Sequence, residues 1–188
     1  MVDEPASFSI KEEGAMRKLQ IFLSLSIFIM VFIFLAFIPQ HTAIVFQPNY
    51  TKEKIAYIQI KDESTFQIKY THSIHLSDVV ESYKITPSQK LQQYELMYED
   101  FAIGMPANAE EGESFQQING RYYIKNMKRI FPFFHLRIGQ VIANHRLIYN
   151  NKEFPLSRTF EPGTSLKVEI RKLNYFDLWR GVNILESI

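Results

Sequence analysis

The chain has 188 residues, 46% of them hydrophobic, a formal net charge of +1 and no cysteine. Length alone suggests about one domain. Near-neutral charge leaves no electrostatic footprint for nucleic acid, and the lack of thiols excludes disulfides, cysteine metal sites and lipid attachment through cysteine.

In chain order, residues 1–18 read as a cytoplasmic tail, of which 1–15, with mixed charge and little hydrophobicity, are expected to be disordered; a start at Met16 would instead give a short basic entry, MRKLQ. Residues 19–38, LQIFLSLSIFIMVFIFLAFI, contain no charge, no Gly and no Pro. As a helix this stretch spans about 30 Å, the thickness of a bilayer's hydrocarbon core. It exceeds the apolar region of a cleavable signal, about 7–15 residues, and AFIPQHTA offers no Ala-x-Ala site. An uncleaved signal anchor is therefore expected. Lys11, Arg17 and Lys18 precede it, whereas the first basic residue beyond it is Lys52. The excess of positive charge predicts a single-pass cell-membrane protein, N-terminus cytoplasmic and C-terminal domain outside.

Residues 39–54 read as a linker and 55–172 as an extracytoplasmic β domain. TFQIKYTH sets Phe66, Ile68, Tyr70 and His72 on one face, the period-two pattern of a half-buried strand. VVESYKI likewise groups Val79, Glu81, Tyr83 and Ile85, and QYELMYE groups Tyr94, Leu96 and Tyr98. VIANHRLIY aligns Val141, Ala143, His145, Leu147 and Tyr149, and SLKVEI turns Leu166, Val168 and Ile170 inward. Asn119-Gly120, Asn150-Asn151 and Pro162-Gly163 mark turns between such runs. Phe101–Ser114 reads as a loop containing Gly104, Met105, Pro106 and an acidic patch of Glu110, Glu111 and Glu113. In NMKRIFPFFHLR basic residues alternate with aromatics, and core packing is the better reading for an outward-facing neutral domain.

Many short strands with regular turns predict a mainly β fold: a β-sandwich or barrel-like domain after the transmembrane helix, with a short C-terminal helix. That helix falls in an amphipathic segment, 173–188, carrying Leu173, Phe176 and Trp179. It either closes one end of the sheet or meets a membrane interface or partner helix.

The densest chemistry is YTHSIHLSDVVESY, Tyr70 to Tyr83. His72 and His75 form H-x-x-H, but on a continuing strand they point to opposite faces, so a helical metal pair is not supported. Ser73 beside His72 likewise points away from its would-be base, so no nucleophile is expected. Pairing core face to core face sets either Glu81 opposite His72, or Glu81 opposite Tyr70 with His72 opposite Val79. A polar cluster of Tyr70, His72, Glu81 and His145 follows, since a buried carboxylate needs a partner. It is either a self-satisfied knot that fixes register or the floor of a ligand pocket.

The stretches YTHSI with Glu81 downstream, Gly104-Met105-Pro106, LRIG (Leu136–Gly139) and NHRL (Asn144–Leu147) occur in this order. Together they resemble a bacterial family of extracytoplasmic domains of unknown function, encoded beside or fused to TAXI-type TRAP solute transporters. The resemblance spans roughly Phe66 to Ile170, with His72, Ser73, Glu81 and His145 as the matched polar positions. Relatives commonly carry an acidic residue where this chain has His75. The resemblance implies a small β domain and a transporter connection, with a permease or solute-binding protein as partner, and it brings no catalytic residues. The expectation is a non-catalytic accessory without cofactor, metal or nucleic-acid partner. The alternative is a small-ligand-binding or sensory module at His72, Glu81 and His145. A metal-dependent hydrolase is a third reading, for which no ligand spacing speaks.

Overall fold

The computed structural model describes residues 6–49, 54–60, 64–99, 106 and 108–186, with side chains from Met16 onward. A helix, α1 (Ala6–Ala36), is followed by β1 (His41–Pro48), β2 (Ala56–Gln59), β3 (Thr65–Thr71), β4 (Asp78–Ile85) and β5 (Leu91–Tyr98). Then come β6 (Ser114–Ile118), β7 (Arg121–Phe131), β8 (Phe133–Arg137), β9 (Arg146–Tyr149), β10 (Lys152–Pro155) and β11 (Ser165–Leu173). A short helix, α2 (Tyr175–Arg180), precedes β12 (Val182–Asn183).

The strands form two sheets, β12-β2-β1-β11-β8 and β10-β9-β3-β4-β5-β7-β6. Ile44, Phe46, Ile58 and Val168 from the first pack with Phe66, Ile68, Tyr83 and Leu147 from the second in one buried core. The mainly β, sandwich-like fold is thus realised. The chain crosses between sheets at Pro132, where β7 ends and β8 begins. Proline has no N–H to donate to a ladder, so the break falls where pairing must change. Asn119-Gly120 (φ 52° and 78°) and Asn150-Asn151 (φ 50° and 58°) close their hairpins with both turn residues left-handed, the requirement that made these pairs legible.

Four expectations need correction. First, the helix begins at Ala6, so no separate disordered tail occupies 6–15. Ala, Glu and Lys there are good helix formers and simply extend the apolar helix backward.

Second, residues 41–48 are not a linker. β1 pairs with β2 on one side and β11 on the other, and Ala43, Ile44, Val45 and Phe46 are fully buried. Ile44 and Phe46 face the main core, while Ala43 and Val45 join Tyr57, Leu173 and Leu178 on the opposite face. A strand covered on both faces has no polar alternation to betray it.

Third, Val141 to His145 are irregular, with Val141 91% exposed. The backbone folds tightly there: a Cβ on Gly139 would sit 2.5 Å from that of Ala143. Fourth, Tyr94 leaves the face of Leu96 and Tyr98, because a β-bulge between Gln93 and Glu95 shifts the alternation by one residue.

Only Phe37–Gln40 separate α1 from β1, and the Gln40 N–H already donates to the Leu173 carbonyl. His41 pairs with Leu173 at this end, and Pro48 with Leu166 at the other. Eight extended residues reach about 26 Å, so the two ends of β1 stand about that far apart. The Gly139–Ala143 loop lies at the far end, where Ile138 exchanges backbone hydrogen bonds with Gly163 and Thr164 just ahead of β11. The His72–Ser77 turn joins it there, since the Thr71 N–H donates to the Ala143 carbonyl. Together these loops expose Ile74, Leu76 and Val141.

Candidate functional site

β3 and β4 form the predicted hairpin with the predicted facing, but neither predicted register. Glu81 pairs with Ile68, and Tyr70 with Val79. The reason is the turn: β3 stops at Thr71, and His72 to Leu76 close it through Leu76 N–H to His72 carbonyl and His72 N–H to Ser77 carbonyl hydrogen bonds. His72 and Ser73 therefore lie in the turn, outside the inner face. His72 and His75 do not point to opposite faces of a strand, since the turn brings their ring centroids within 5.9 Å. The His72 Nδ1 accepts the Ile74 N–H at 3.4 Å. Among the described residues no three His, Asp or Glu side chains converge as metal ligands.

Glu81 sits in the middle of an apolar row across the seven-stranded sheet. The row runs Leu147, Ile68, Glu81, Leu96, Ile124. All four neighbours are buried, and Glu81 is half-buried. Its Oε2 accepts the Tyr83 hydroxyl at 2.7 Å. Residues two apart on a strand share a face, so this partner is intrinsic to the Glu-Ser-Tyr sequence. Tyr83 is the site residue that sequence reasoning missed, although the period-two pattern placed it beside Glu81.

Burial raises the Glu81 pKa above its ordinary value, and the Tyr83 hydrogen bond opposes that rise. Burial and then the Glu81 charge push the Tyr70 phenol up to about 12, and the same two causes, aided by the hydrogen bond, raise Tyr83. Tyr70 stacks on His145, with ring centroids 5.3 Å apart. The His145 Nδ1 accepts the Gly139 N–H at 3.1 Å, which places the ring proton on Nε2, and burial lowers its pKa. Tyr83 in turn stacks between Phe66 and Phe134. The fold thus brings together Tyr70, Glu81 and His145 of the predicted cluster, adds Tyr83, and leaves out His72 and Ser73. The arrangement sets a carboxyl whose pKa burial raises, and the phenols near it, within an apolar wall.

In the predicted loop, the Tyr98 hydroxyl donates to the Pro106 carbonyl, and Arg129 pairs with Glu110 at 2.8 Å and Glu113 at 3.4 Å. Gly104 and Met105 lie outside the described residues.

A pH test separates a charged from a protonated Glu81. A carboxyl with a raised folded pKa contributes stability fully below its unfolded value, 4.5, and loses it as pH rises through the folded value. Glu81→Gln retains an acceptor for Tyr83 and cannot ionise. The variant should therefore gain on the wild type as pH rises from 4 to 7. Thermal unfolding of both proteins across that range measures it; a difference independent of pH would show that Glu81 is not held in a desolvated site.

Comparison with known families finds a DUF1850 domain, a domain of unknown function, at residues 66–156. The match runs from β3 to the turn after β10, so it contains Tyr70, Glu81, Tyr83 and His145 but neither α1, β1 nor β11. No curated protein and no solved structure matches the chain.

Proposed function

We propose that the protein is a membrane-anchored, extracytoplasmic, non-catalytic accessory domain that works beside a TAXI-type TRAP transporter, contacting its permease or solute-binding protein. One observation carries the reading: the β domain follows a helix of membrane-spanning length after only four residues, Phe37–Gln40. Met16–Ala36 has a mean hydropathy of 2.6 and none of its most apolar stretch is buried against the domain. It passes into a central strand through Phe37–Gln40 alone. So short a connection keeps the domain close to the bilayer, as a docking domain requires. The apolar loops bearing Ile74, Leu76 and Val141, beyond the end of β1 remote from α1, are the surface offered to the partner. The motif resemblance supplies the transporter class, and the positive-inside count supplies the orientation.

Affinity purification from detergent extracts tests this with matched partners co-expressed. The permease or the solute-binding protein should be recovered with the chain. Val141→Asp combined with Leu76→Asp should reduce recovery at least about tenfold, the equivalent of losing one modest apolar contact set, with unfolding unchanged. Repeated failure to recover either partner would overturn the proposal.

The second reading, a small-ligand or sensory module, is favoured by one feature: a half-buried carboxyl, its pKa raised by burial, set between Tyr83 of the main core and Tyr70, which packs beside Val79, Leu96 and Ile124. A ligand-induced rise in unfolding temperature that Glu81→Gln abolishes would support it.

A further inference from the structure

We propose that α2 is a second membrane contact: its aromatic face, Tyr175, Phe176 and Trp179, lies in the interfacial layer of the bilayer that α1 enters. This rests on the membrane reading of α1. The exposed apolar surface of α1 does not stop at its last turn. Phe37, 52% exposed, packs against Phe176 with ring centroids 5.5 Å apart, and Phe176 against Trp179 at 6.0 Å. The helix and the aromatic face of α2 therefore make one continuous surface at the level where α1 ends.

The other side of α2 is occupied. Leu178 packs on the cluster of Ala43, Val45, Tyr57 and Leu173, and its carbonyl accepts the Tyr57 hydroxyl at 3.0 Å. Asn174 and Asp177 form a reciprocal capping box that holds this short helix. At its end, a Cβ on Gly181 would lie 2.8 Å from the Tyr57 ring, so α2 is seated as closely as the backbone allows. With Leu178 turned in, Trp179 is left 81% exposed and Tyr175 56% exposed.

The chemistry of the outward face fits a lipid interface better than water or a hydrocarbon core. Trp and Tyr carry an apolar body with one hydrogen-bonding end and concentrate at headgroup level. Arg180 lies over the Phe176 ring, 5.3 Å from its centroid, with its charge free to reach lipid phosphate. Two contacts, one spanning and one interfacial, would fix the tilt of the domain and thus where its far loops point.

Trp179 is the only tryptophan in the chain, so it reports on itself. The full chain is reconstituted into phosphatidylcholine vesicles, with iodide on both sides of the bilayer. Parallel samples carry lipids brominated near the headgroup or near the acyl methyl end. Expected are flotation with the vesicles, blue-shifted Trp179 emission, shielding from iodide, and loss of emission chiefly to the shallow bromines. Flotation with water-like, iodide-quenched emission would overturn the interfacial contact alone. A chain that fails to float would overturn the membrane reading and this inference with it.

Discussion

Phe46→Ala should destabilise the β domain by about 3–5 kcal/mol, the cost of deleting a large side chain from a packed core. Phe46 is fully buried, packs toward Phe160 and faces the second sheet. It lies at the centre of β1, which holds the five-stranded sheet together between β2 and β11. Domains of this kind are stable by only about 5–15 kcal/mol, so the loss would leave a large unfolded fraction. Chemical unfolding of the full chain in mild detergent measures the shift in midpoint at constant slope. A change below about 0.5 kcal/mol, as for a surface substitution, would show that 41–48 is a linker after all. By the same reasoning, a domain cut at residue 55 should not fold, because it lacks this central strand.

The Glu81–Tyr83 pair gives the second large effect. Tyr83→Phe removes a hydroxyl donated to the carboxyl and should cost about 1–3 kcal/mol, since a half-buried polar group then loses that partner. Glu81→Leu alone strands the Tyr83 hydroxyl and should cost less, because Leu suits a row of Leu147, Ile68, Leu96 and Ile124. The double variant should recover most of the loss, as apolar replacement of a buried polar pair is often neutral or stabilising. A coupling of about 0.5–3 kcal/mol is expected from a double-mutant cycle; additive losses would show that the two groups do not act as a pair. The double variant also divides the two readings of the cluster. It should unfold like the wild type and still recover the transporter partner if the pair only fixes the register of the sandwich. Were partner recovery or ligand response lost at wild-type stability, the pair would belong to a working site.

Where one face of a strand is buried and the other wet, the fold could be read directly. Phe66 and Ile68 against Gln67 and Lys69 show it for β3, and Leu166 and Val168 against Lys167 show it for β11. Turns that demand left-handed residues were equally plain at Asn119-Gly120 and Asn150-Asn151. What stayed hidden depends on tertiary structure. β1 is covered on both faces, so His41–Pro48 shows no alternation. The bulge at Tyr94 needs a partner strand to exist. The parity of Glu81 with Tyr70 was legible, but its register was not, because that depends on where β3 stops and how His72–Ser77 turns. This one turn also moved His72 out of the cluster and left Tyr83 as the real partner of Glu81. The C-terminal segment was legible as a choice, and Leu178 bears out the half in which it closes a sheet face, while Trp179 turns outward.

A domain proposed to hold its far loops against a transporter component should touch that component there. The most direct test places a photoreactive residue at Val141, 91% exposed at the tip opposite α1, in cells co-expressing a matched TAXI-type permease and solute-binding protein. A crosslinked adduct to one of the two is expected, and none from the same residue placed at Lys128 on the outer face of β7. A folded, membrane-bound chain that yields no adduct at Val141 with either partner would contradict the proposal.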